Sequence, residues 1–226
     1  MQPLNHPSGE TRATRDGRYS ASGNGLTVVG LDRVTEIRDR VIGPGKPIDP
    51  DRIQRIYICR HPAAVQTFQV LFPPAVLAKL SDEHEEPLDG IKILKGLRDW
   101  DYGHYEDMTD AEIREMRRQQ GLDPEGKAWS IWKNGFPGPT GERPSMVEHR
   151  IDHLMQRIRD THMIFGGDAS LDLDVVLIAH HLILTAFAKR WMGHRISDRL
   201  TNIASPGAIL SYEDGKPTIQ FGMIPP

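Results

Sequence analysis

The chemistry-bearing residues of this 226-residue chain gather at a few places, and the clearest is Asp174–Gly193, DVVLIAHHLILTAFAKRWMG. Two imidazoles, His180 and His181, follow a run of apolar residues, Val175 to Ala179. Leu182, Ile183, Leu184, Ala186, Phe187 and Trp191 then repeat at helical spacing, and Gly193 supplies a stop. The pair therefore falls where a strand, expected to be buried on both faces, passes into a helix. In open α/β sheets ligands bind at that carboxyl edge. A second concentration is Arg98-Asp99-Trp100-Asp101-Tyr102-Gly103-His104-Tyr105-Glu106, acids and aromatics directly after a strand-like run. Arg60 and His61 follow another strand-like run. Carboxylates beside imidazoles suit general acid–base work near neutral pH. The competing assignments are structural: Asp99 as a capping carboxylate, one histidine as a hydrogen-bonded strand-end residue, Trp129 and Trp132 as core.

The elements that must position these groups can be read in order. Residues 1–25 are polar and rich in Gly, Ser and Arg, which predicts a loop or mobile arm. Leu31, Val34, Ile37 and Val41 give a helix ending at Gly43-Pro44-Gly45. Ile53–Cys59 reads as a strand, Ala63–Leu71 as a helix, 75–90 as partly loop, and Ile91–Leu97 as a strand. Thr109 caps a helix running to about Gln120. Residues 121–142 form a structured loop, because their tryptophans need burial. Pro144–Met163 is a long helix with Met146, Ile151, Leu154, Met155 and Ile158 as its buried stripe. The chain closes on two strands around Glu213-Asp214-Gly215. This alternation predicts one domain over 1–226, a three-layer α/β/α fold with a mostly parallel sheet.

Composition narrows the partners. A net charge of −3 argues against nucleic acid or a membrane surface held by bulk charge. No apolar run is long enough to span a bilayer, and the N-terminal stretch lacks the apolar region of a secretory signal. One cysteine, Cys59, points to a reducing, cytoplasmic setting. The histidines match no fixed metal motif, so neither metal nor cofactor is expected. A small-molecule substrate is expected, and the hairpin edge could pair with a second copy as a homodimer.

LRDWDYGHYEDMT at 97–109, GLDPEGKAWSIWKNG at 121–135, VVLIAHH at 175–181 and GAILSYEDG at 207–215 occur in an order that resembles the histidine phosphatase superfamily. The likeness is to its phosphoglycerate mutase-like group, in the style of fungal sedoheptulose-bisphosphatase-like members, and runs from about Gly9 to Met223. It implies a phosphohistidine mechanism: an Arg-His-Gly motif after the first strand, a second arginine, an acidic proton donor and a second histidine. His180 matches the second histidine, with His181 in place of a glycine. Asp99 matches the donor, one methylene shorter. Gly9-Glu10-Thr11 matches the residues after the nucleophile, which puts Ser8 at the nucleophile position, or His6 if Pro7-Ser8 is an insertion. Ala63 stands where the second arginine belongs, with Arg60 or His61 nearby to compensate.

Loss of the cradle arginines removes charge-assisted donors that a phosphate dianion needs. The expectation is a repurposed pocket: Asp99 and His180 as acid–base pair, with His61, His181, Arg60, Tyr102, Tyr105, Trp129 and Ser8 around the substrate. It would isomerise, epimerise, eliminate from or cyclise a small organic metabolite. Two alternatives stand beside it: hydrolysis of phosphate monoesters with His6 as nucleophile, and a pseudophosphatase that only binds.

Overall fold

The computed structural model describes residues 9–21, 23, 25–74, 90–123, 129–165, 174–199, 208–213 and 216–221. His6 and Ser8, most of the segment 75–90, and the hairpin turn at 214–215 lie outside them. The frame is a parallel sheet of three strands, β2 (Ile53–Ile58) in the centre, β3 (Ile91–Ile93) on one side and β5 (Asp174–Ile178) on the other. Two registers, Ile58 opposite Ile93 and Ile58 opposite Ile178, bring the three carboxyl ends level. Every residue of β2 except Gln54 is buried, as a central strand covered on both faces requires. In β5 only Ile178 is buried. The expectation of burial on both faces thus belongs to β2: among the described residues β5 has a strand neighbour on one side only.

Helices complete a three-layer α/β/α arrangement. α2 (Val28–Val41), capped by Thr27, packs on α3 (Pro62–Leu71), and α3 lies on β2 and β5. The long α6 (Pro144–Phe165) packs on α7 (His181–Trp191). Val147, Ile151, Leu154 and Met155 are the buried stripe of α6, whereas Met146, expected in it, is 51 % exposed. The spacing explains the difference. Val147, Ile151, Leu154 and Met155 follow the i, i+4, i+7, i+8 pattern, and Met146 starts one residue off it. α4 (Asp110–Gln119) starts at a full capping box: Thr109 Oγ1 accepts from the Glu112 amide, and Glu112 accepts from the Thr109 amide. The short α5 (Ile131–Asn134) lies in the expected structured loop. Strands β6 (Ala208–Glu213) and β7 (Lys216–Phe221) pair antiparallel, as the hairpin signal predicts.

Two local expectations change. The strand at 91–97 stops at Ile93 and tightens into a 3-10 turn over Lys95–Leu97. There Gly96 comes against Leu154 of α6, and its carbonyl accepts from Arg150. The polar arm, over its described part, is folded. α1 (Arg12–Arg15) starts at a reciprocal Thr11–Thr14 capping box, and β1 (Arg18–Tyr19) pairs antiparallel with β4 (Met108–Thr109). Polar composition misleads here because the segment is held by hydrogen bonds. The Thr27 amide donates to Glu10 O at 2.7 Å, and Thr27 Oγ1 donates to the Glu10 carboxylate at 2.8 Å. Among the described residues no helix is long and apolar enough to cross a membrane.

Candidate active site

Level strand ends place three chemical groups together. β2 delivers Cys59, Arg60 and His61; β3 and its 3-10 turn deliver Asp99; β5 delivers His180 and His181. His180 stands at the N-cap of α7 without using its side chain as a cap, which leaves the imidazole for the site. Its Nδ1 lies 3.4 Å from Asp99 Oδ2. Asp99 is held from both oxygens: Oδ1 accepts the Trp100 amide at 2.9 Å and Oδ2 accepts the Tyr102 hydroxyl at 2.6 Å. Burial, followed by the Asp99 charge, pushes the Tyr102 hydroxyl well above the usual phenol range, so Tyr102 acts here as a fixed donor.

The pair is mostly withdrawn from water, with the Asp99 side chain 8 % and the His180 side chain 18 % exposed. Burial is the largest single influence on His180 and works against its charge. The Asp99 carboxylate and the Cys59 sulfur together outweigh it, and the net displacement is upward from the ordinary histidine value. His180 is therefore more cationic near neutrality than a free imidazole. Its Nε2 is buried and has no hydrogen-bond partner among the described residues. A buried ring nitrogen without a protein partner typically costs about 1–3 kcal/mol unless a further group meets it.

His61 sits edge-on to His180, ring centroids 4.4 Å apart. Its Nδ1 accepts from the Ala63 amide at 3.2 Å, capping α3, so Nε2 is the nitrogen that carries its proton. His61 thus caps α3 and packs against His180, and it is not among the residues that line the cleft.

Asp99, Tyr102, His180 and His181 line a cleft of about 150 Å³. Gly9, Thr11, Thr14, Arg18 and Tyr19 close it from the N-terminal segment, and Ala63, Ala64 and Thr67 from α3. Among the described lining residues Arg18 carries the guanidinium, and it is engaged with Glu112 and with the Asp107 carbonyl. Of the residues expected around the substrate, Tyr105 and Trp129 belong to the core. Both are buried in an aromatic cluster with Phe136, where Tyr105 accepts from Arg117 and Trp129 donates to Gly135 O. Arg60 is exposed and is not part of the cleft lining. Ser8 lies outside the described residues, immediately before Gly9 of the cleft wall.

Sequence reasoning missed the groups that hold Asp99 in place. Glu142, 2 % exposed, accepts from Arg98 at 2.7 Å, from Arg150 at 2.9 Å through each of two nitrogens, and from the Asp101 amide at 3.1 Å. Arg150 also donates to the carbonyls of Gly96, Arg98 and Asp99. An acid in a Gly-Pro run reads as solvent-facing. Among the described residues no group of three or more His, Cys, Asp and Glu is arranged to hold a metal ion.

The model of the histidine phosphatase superfamily (branch 1) matches residues 75–221, well over half of the chain. The chain belongs to the histidine phosphatase superfamily. It is 28 % identical over 207 residues to sedoheptulose 1,7-bisphosphatase of Saccharomyces cerevisiae, covering 91 % of this chain and 73 % of that protein. Solved structures share the fold at lower identity. Bacillus stearothermophilus YhfR gives a TM-score of 0.65 at 18 % identity, covering 96 % of this chain and 93 % of that one. The α-ribazole phosphatase of Shigella flexneri gives 0.65 at 15 %, covering 94 % and 91 %. A mycobacterial glucosyl-3-phosphoglycerate phosphatase gives 0.63 at 15 %, covering 95 % and 94 %. Three of these four relatives, all but YhfR, carry phosphatase names, and none of the names is that of an isomerase or lyase.

Proposed function

We propose that the cleft hydrolyses a phosphate monoester, with His180 as the cationic group facing the phosphoryl oxygens and Asp99 managing the leaving-group proton. The observation that carries the reading is the Asp99–His180 pair. A carboxylate oriented by Tyr102 and Trp100 raises the charge of an imidazole whose Nε2 is otherwise unsatisfied among the described residues. An imidazole whose pKa is raised gains cationic character, and held in place it stabilises charge on the transferring group without reorganisation. The phosphatase names of the relatives support the same choice over an isomerase or lyase.

The nucleophile proposed from the sequence is His6. His6 lies three residues before Gly9 in the sequence, and Gly9 lines the cleft. In the first step the His6 imidazole attacks phosphorus, the ester P–O bond breaks, and the leaving alkoxide takes a proton from the Asp99–His180 pair. In the second, water attacks the phosphohistidine, its proton returns to the pair, and inorganic phosphate leaves. Rapid-quench labelling with a monoester carrying radioactive phosphate tests this. The expected result is an acid-labile phosphoenzyme in wild type and none in His6→Ala; a phosphoenzyme that survives His6→Ala removes His6 from the role.

A second reading keeps one specific observation in its favour. The cleft holds two carboxylates, Asp99 and Asp110, and its described guanidinium is already engaged. That suits proton transfer on an uncharged metabolite, with Asp99 and His180 as the acid–base pair. Turnover of such a compound with no phosphate release distinguishes it.

A further inference from the structure

α6 has a chemical feature on the face opposite its buried stripe. His149 and His153, one helical turn apart, are both exposed, and their rings meet at right angles with centroids 4.4 Å apart. Met146 stands three residues before His149, on the same face, and is 51 % exposed. Positions i, i+3 and i+7 fall in one narrow stripe along a helix, so a thioether and two imidazoles face solvent together. An apolar side chain at the surface alone means little, but here it lines up with two metal-ligating rings. The acids that flank the pair are committed elsewhere: Glu148 accepts the Ile196 amide at 2.8 Å, and Asp152 pairs with Arg190 at 2.8 Å. The donor set is therefore nitrogen with sulfur nearby and is poor in oxygen.

We propose that His149 and His153 form a surface site for a late first-row transition-metal ion, copper foremost, with Met146 as an adjacent soft donor. Donor type fixes the class. Imidazole with thioether selects copper, nickel and zinc over magnesium and calcium, which demand oxygen ligands. Among divalent ions of one site copper binds tightest by the Irving–Williams order. Two imidazoles one helical turn apart can bind one ion as a chelate, the second engaging as an intramolecular step once the first is bound. The site is independent of the cleft and of the phosphatase reading.

Calorimetric titration of the full chain with Cu²⁺, alongside Mg²⁺, tests the proposal, with electron paramagnetic resonance reporting nitrogen ligation. Wild type is expected to bind Cu²⁺ saturably with coupling to two nitrogens and to ignore Mg²⁺. His149→Ala and His153→Ala, at exposed positions that fold normally, should each weaken this binding at least about tenfold by breaking the chelate. Met146→Leu should leave Cu²⁺ affinity in place and weaken Cu⁺ binding measured under reducing conditions. Copper bound with unchanged affinity in both histidine variants places the ion elsewhere and overturns the proposal, as does the lack of saturable binding in wild type.

Discussion

The His180 pKa lies above the ordinary histidine value because Asp99 and Cys59 together overcome burial, and that balance has two measurable consequences. The histidine titration followed by NMR should run above the ordinary value of about 6.5. Asp99→Asn removes the largest single raising influence while burial remains, so the His180 pKa should fall; an unchanged value would mean that Asp99 does not set the charge. The sign carries over to stability. A pKa raised on folding adds stability that is complete below about pH 6.5 and is lost as pH rises through the folded value. Asp99→Asn should therefore destabilise the protein more at pH 6 than at pH 9. Tyr102→Phe keeps the ring in the core but removes the 2.6 Å donor to Asp99. It should cost about 1.5–3 kcal/mol, the usual range for a hydrogen bond to a charged group, read as a lower urea midpoint.

At the scale of elements, the site depends on two attachments. Glu142 ties the Asp99 loop to α6 through Arg150, and the pair is buried, with the Arg150 side chain 14 % and Glu142 2 % exposed. Removing one partner of a buried, multiply bonded pair typically costs about 3–5 kcal/mol, because the other charge is left uncompensated. Glu142→Ala should lower the unfolding free energy by that amount, read as a lower urea midpoint, and reduce turnover with it. The second attachment is the N-terminal segment on α2. A helical Gly→Ala change normally gains up to about 1 kcal/mol. At Gly30, however, a Cβ would fall on the backbone of Glu10, 2.7 Å from its nitrogen. Backbone cannot yield as a flexible side chain can, so overlap outweighs propensity. Gly30→Ala should destabilise the chain and widen the Gly9–Thr11 wall of the cleft. A stabilised, fully active variant would show that the segment is not docked there.

For the molecule as a whole, periodic elements were legible and long-range attachments were not. The apolar spacing of Val34 and Val41, the Thr109 cap and the run before His180 each specify local structure through neighbouring residues. The parallel sheet then follows from alternation, and the sheet edge places Asp99, His61 and His180 together. Tyr105 and Trp129 were misplaced because nearness in sequence to Asp99 does not tell which side of a turn a ring takes, and both pack into the core behind it. Arg18 and Glu142 were missed because Glu112, the partner of Arg18, lies 94 residues away and Arg98, a partner of Glu142, lies 44 residues away. No local pattern encodes such pairs. The proposed hydrolysis of phosphate monoesters in this cleft depends on His180. The most direct test is steady-state phosphate release from aryl phosphates and sugar bisphosphates by wild type and by His180→Ala, with circular dichroism as a check on folding. Release by wild type that is lost in a folded His180→Ala variant is the predicted result; no release by wild type, or release unchanged by the substitution, contradicts the account.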